Sequence, residues 1–169
     1  LMALAVGTAE GLGMLCFYAL AYALTNMGAF LVVSVVSEAE GNADLGAYAG
    51  LARRAPALSL AMLIFLLSLG GIPFVAGFWA KVLLLWAAWT GGLFLLVVLA
   101  VLLAVLALFY YLKIARSMYI VEQGPDTVPR PGPAMAGAIG LCVAGVVLLG
   151  VWPAPFVETA LSAARALGL

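Results

Sequence analysis

One apolar run, from Ala57 to Trp89, constrains this chain more than any other feature. As one straight helix it would reach about 50 Å, against a hydrocarbon core of about 30 Å. Inside it stand a Gly70-Gly71-Ile72-Pro73 breaker, a further glycine at Gly77, and a lysine, Lys81. A segment of this kind has no place in a water-soluble fold. The chain is 67% hydrophobic and 8% charged, where soluble domains carry roughly 45–50% and 25%. A domain of this size cannot hide that much apolar surface from water.

The rest of the chain reads as further membrane spans. Apolar segments of about 20 residues cover 12–36, 93–118 and 134–152, beside the broken 57–89 segment. The expectation is an all-α, polytopic transmembrane helix bundle with one discontinuous helix, a single membrane domain over 1–169. Residues 1–7 read as the end of an earlier helix, and with no basic flank the start does not read as a signal peptide. The chain is therefore expected to be a piece of a longer polytopic protein. A short amphipathic tail with Glu158 and Arg165 follows Pro155.

Orientation follows the basic residues. Arg53 and Arg54 lie in one connection; Lys113, Arg116 and Arg130 lie at the other, against Arg165 alone on the opposite side. Loops 37–56 and 119–133 are expected in the cytoplasm and the C-terminus outside, in a bacterial inner membrane. Glu38, Glu40 and Asp44 read as a solvated loop.

Net charge is +0 and there is no histidine, so nothing points to nucleic acid, and the usual metal ligand and near-neutral proton carrier are missing. Cys16 and Cys142 have no metal spacing and read as small buried hydrophobes. No phosphate loop, dinucleotide glycine pattern, cysteine cluster or haem ligand set is present. No cofactor or metal is expected in this chain, and no small-molecule substrate beyond protons.

Lys81 is the first candidate for chemistry. An ionisable group inside a span costs about 3 kcal/mol on insertion scales. Two readings stand: a lysine near a helix end that snorkels to the interface, or one held nearer the middle by the break. The breaker also has two readings, a plain proline kink or a discontinuous helix whose freed backbone groups line a polar cavity. Gly70, Gly71, Pro73 and Gly77 are more than a kink requires, and a lysine that can lose its proton can relay one.

Tyr18, Tyr22, Thr25 and Asn26 share one face of the first span, either as interhelical glue or as part of a hydrated path. Gly28 and Ala29 allow close helix approach. Ser34, Ser68 and Ser117 read as satisfied by the helix backbone. Tyr110 and Tyr111, beside Lys113, read as an interfacial belt.

Three blocks, "YALTNMGAFLVVSVVS", "YAGLARRAPALSLAMLIFLLSLGGIPFVAGFWAKVLLLWAA" and "FYYLKIARSMY", together resemble the C-terminal half of subunit N of respiratory complex I. That subunit is one of the antiporter-like, proton-translocating membrane subunits of NADH:quinone oxidoreductase. The resemblance covers Leu12 to about Pro155. The Gly-Ile-Pro, Gly-Phe, Lys block is shared with sister subunits and with multisubunit sodium/proton antiporters. It implies a fourteen-helix fold of two inverted five-helix repeats, of which this chain is similar to the tail of helix 10 and helices 11 to 14. Lys81 then matches the essential lysine of the second broken helix. Phe74 departs from the pattern, standing where many relatives have a second proline. The resemblance implies partners among the other complex I membrane subunits, with NADH, flavin, iron–sulfur clusters and quinone in those subunits. The alternatives are a subunit of a sodium/proton antiporter, or a membrane anchor without transport.

Overall fold

The computed structural model describes residues 8–121, 124 and 127–166; the helix end expected at 1–7 lies outside them. Helix α1 runs Ala9–Glu40. Thr8 caps its start by accepting the Gly11 amide at 3.1 Å, and Gly41, with φ 73°, ends it in the left-handed conformation that glycine adopts without cost. A 3₁₀ turn, Leu45–Tyr48, and a one-turn helix α2, Leu51–Arg54, follow. Helix α3 is Pro56–Gly70 and α4 is Ala76–Thr90. Helix α5 is Phe94–Tyr119, α6 is Pro133–Val151, and the tail helix α7 is Ala154–Ala166.

Among the described residues, α1, α5 and α6 are each long and apolar enough to cross a membrane. Neither α3 nor α4 is: 15 residues each reach about 22 Å. They are the two pieces of the apolar 57–89 run, separated by residues 71–75. Pro56 starts the first piece at the position where a missing N–H costs nothing.

Helix α1 is the axis of the bundle, packing against α3, α4, α6 and α7. Lipid tails are as apolar as leucine, so close fit rather than the hydrophobic effect holds such helices together. Gly28 shows the fit: a Cβ there would collide with the ring of Phe65 on α3, itself fully buried. Phe17, Val32, Val36, Val146 and Leu149 complete the seam. Truncating Phe65 to alanine leaves a ring-sized void, a cost of about 3–5 kcal/mol.

Three readings of single residues need correction. Cys16 is exposed, on the outward face of α1, while Cys142 is buried. Residues 37–55 are not a free loop: α1 continues through Glu40, and Tyr48 and Leu51 are buried under the bundle. Glu40 is not solvated either, being paired with Arg54 at 2.6 Å. Arg54 also donates to the carbonyls of Ala47 at 2.8 Å and Thr127 at 2.7 Å, and the Thr127 hydroxyl donates to Glu40. One guanidinium thus fastens both long connections to the end of α1.

Candidate functional site

The broken helix builds a site because of where its proline falls. In an unbroken helix the Leu69 carbonyl would accept from the N–H four residues on, and that residue is Pro73, which has none. Helix α3 ends instead in a Schellman turn. The Ile72 amide bonds the Leu67 carbonyl and the Gly71 amide bonds the Ser68 carbonyl, both at 3.0 Å, with Gly71 at φ 77°. Neither bond uses the Leu69 carbonyl. The Lys81 Nζ, one helix later, donates to it.

Across the same gap, α4 begins without a cap of its own, because Val75 offers no side-chain acceptor. Ser68 supplies it from the other half-helix: its Oγ accepts the Gly77 amide at 3.0 Å. The two pieces lie so close that a Cβ on Gly77 would strike the Ser68 carbonyl, so this position admits only glycine. Thr25 on α1 joins the chain. Its hydroxyl donates to the Ala21 carbonyl at 2.7 Å and lies 3.0 Å from the Ser68 Oγ. A hydroxyl has one proton, so the Ser68 proton points to Thr25, and the bonds run in one direction from Gly77 through Ser68 and Thr25 to Ala21.

These groups line a cavity of about 130 Å³ between α1, α3, α4 and α5, room for about four waters at roughly 30 Å³ each. Tyr18, Tyr22 and Thr25 face it from α1, Ser68 from α3, Lys81 from α4 and Tyr111 from α5. Tyr18 and Tyr22 are stacked, their ring centroids 5.8 Å apart. Among the described residues no carboxylate lines this cavity and no cluster suited to a metal occurs.

Of the residues singled out in the sequence, Lys81, Tyr18, Tyr22, Thr25 and Gly77 meet here. Asn26 does not: its amide bonds the Tyr22 carbonyl at 2.9 Å and stays outside the lining. Gly70 and Gly71 close α3 beside it, and a Cβ on Gly71 would come within 2.9 Å of the Lys81 side chain. Three residues were misread. Ser117 donates its hydroxyl to the Leu45 carbonyl at 3.1 Å rather than to its own helix backbone. Ser68 serves two other elements rather than its own helix backbone. Tyr111 turns inward, while its neighbour Tyr110 is 64% exposed. A signal for this lay in the last turns of α5: Tyr111, Ile114, Ala115 and Met118 recur at helical spacing on one stripe that packs with the core, and Lys113 and Arg116 mark the opposite side.

Residues 1–107 match the family model described as NADH:quinone oxidoreductase/Mrp antiporter, transmembrane. The chain belongs to this family. The antiporter-type chain is 44% identical over 153 residues to NADH-quinone oxidoreductase subunit N 2 of Acidobacterium capsulatum, covering 88% of this chain and 31% of that protein. In structure it is similar to a chain of respiratory complex I from Thermus thermophilus with bound aureothin. The TM-score is 0.78 at 33% identity, over 93% of this chain and 35% of the other. It is also similar to a chain of the Mrp complex from Dietzia sp., with TM-score 0.85 at 25% identity, over 96% and 39%. The antiporter-type chain thus spans about a third of the length of the curated relatives it matches.

Proposed function

We propose that this chain is the second half-channel of a proton-translocating membrane subunit in an NADH:quinone oxidoreductase of the complex I type. The observation that carries the proposal is the Lys81 amine on the Leu69 carbonyl, at the edge of a cavity lined by three tyrosines and two hydroxyls. Waters in that cavity would connect the tyrosine and threonine hydroxyls to the amine. Lys81 takes a proton from this side and releases it along α4, which leads away from the break. NADH, flavin, iron–sulfur clusters and quinone belong to partner subunits, and the energy of quinone reduction there drives the cycle. The loops 37–56 and 119–133 lie in the cytoplasm of a bacterial cell and the C-terminus outside.

The test is made on the full-length subunit within its complex, in sealed inner-membrane vesicles. Lys81→Met is expected to abolish NADH-driven acidification of the vesicle interior, while Lys81→Arg retains a fraction of it. Pumping at the wild-type rate by Lys81→Met would reduce the chain to a membrane anchor.

A second reading rests on the likeness to the Mrp complex chain. There the same half-channel would exchange a cation for protons without any redox partner. Sodium-driven proton movement in vesicles given no NADH would select it. The 44% identity to a subunit N favours the first reading.

A further inference from the structure

At the loop end of the bundle, the N-termini of α3 and α6 flank an apolar groove of about 500 Å³. Its walls include Leu60, Ala61, Ile64, Ile139, Gly140 and Val143, and its mouth holds Arg54 and Arg130. A Cβ on Gly140 would meet open space, so the slot is unfilled along α6.

The mouth is made of donors without acceptors. Each helix opens with proline after a residue that gives no side-chain cap, Ala55 before Pro56 and Gly132 before Pro133. The first-turn amides that follow have no intrahelical acceptor, and Ala57 and Leu58, which carry two of them, line the groove. Arg54 commits both Nη atoms to Glu40, Thr127, Ala47 and Ala49, which leaves its Nε buried with no partner among the described residues. Arg130 is exposed, and no described residue forms an ion pair with it.

The positive end of α3 and a guanidinium over an apolar slot match an anionic phosphate carried on an acyl chain. An apolar helix of a neighbouring protein would fill the slot and leave these donors unpaired in a dry interface, at a cost for each. We propose that the groove is a binding site for an acidic phospholipid of the leaflet on the side of the 41–55 connection. Its phosphate sits between Arg130 and the amides of Ala57 and Leu58. One acyl chain lies along Ile64, Gly140 and Val143.

The experiment uses the intact complex in lipid nanodiscs that contain a photoactivatable phosphatidylglycerol or, at the same mole fraction, a photoactivatable phosphatidylcholine. Labelled peptides are mapped by mass spectrometry. The glycerol probe is expected to label residues 57–64 and 136–143 about fivefold more than the choline probe, the difference that roughly one interfacial arginine makes. Arg130→Gln, at an exposed position, brings the two probes to parity. Gly140→Phe fills the slot and removes labelling by both. Equal labelling of the wild type by both probes would show ordinary boundary lipid, and no labelling by either would show a protein segment in the groove. Both outcomes overturn the proposal.

Discussion

The Ser68 hydroxyl on α3 caps the Gly77 amide on α4, 3.0 Å away across the break. The first amides of a helix have no acceptor within it, and Val75 offers none, so this contact from the other half-helix caps the start of α4. Ser68→Ala leaves the Gly77 amide without an acceptor and is expected to cost about 1–3 kcal/mol. Thr25→Val removes the last two steps of the chain but keeps the Gly77 cap, and should cost about 1 kcal/mol. Thermal unfolding of the purified complex, followed by dissociation of this subunit, ranks the two; a smaller effect for Ser68→Ala contradicts the capping role.

Glycine is required at position 77 by space. Gly77→Ala is expected to destabilise the subunit by about 3 kcal/mol, because the obstructing atoms are the backbone carbonyl of Ser68. Gly137→Ala on α6 meets nothing within 4 Å and should stabilise that helix by about 0.5–1 kcal/mol. The yield of assembled complex from membranes carrying each variant separates these outcomes.

Tyr110 and Tyr111 are neighbours with different surroundings, so they make a matched pair for transport. Tyr111→Phe removes a hydroxyl from the cavity lining and is expected to slow proton translocation several-fold with assembly unchanged. Tyr110→Phe changes an outward-facing ring and should leave the rate at the wild-type value. Equal rates for the two variants, measured as acidification per NADH oxidised, would remove Tyr111 from the path.

The Glu40 clasp is expected to respond to acid. Its surroundings withdraw water from the carboxyl, which works against ionisation, but the hydrogen bonds from Thr127 and Arg54 and the Arg54 charge outweigh this. Glu40 is held below its ordinary value of 4.5. A carboxyl lowered by folding contributes stability that is complete above the ordinary value and is lost as pH falls through the folded one. Protease cleavage of the 120–132 connection should therefore be slow and constant at neutral pH and rise only below about 4.5. Glu40→Gln is expected to raise cleavage at neutral pH and to flatten this acid response.

Much of the architecture was legible in advance because membrane helices must be long and apolar, and because prolines and glycines mark their ends. Pro56, Gly70-Gly71 and Pro73 each mark a boundary of α3. Lys81 stood out because a charge in an apolar run has few reasons to be there. What could not be read was which polar atom meets which. The partners of Ser68 and Tyr111 depend on how far α4 slides past α3 and how α5 is rotated. The rotation of α5 is marked only in its last turns, by Lys113 and Arg116 opposite the stripe of Tyr111, Ile114, Ala115 and Met118. Glu40 was misread for a related reason: its partners Arg54 and Thr127 are 14 and 87 residues away in the chain, and only the folded loops bring them together.

The placement of Lys81 against the last carbonyls of α3 has an electrostatic consequence. A helix carries roughly half a negative charge at its C-terminal end, so α3 itself supplies the counter-charge that no described carboxylate in the cavity provides. Such a counter-charge belongs to the backbone. It takes up no proton in the working pH range, does not rotate away like a side chain, and no single substitution deletes it. In the proposed cycle, the lysine at this site would gain and lose its proton beside a partner whose own charge stays constant.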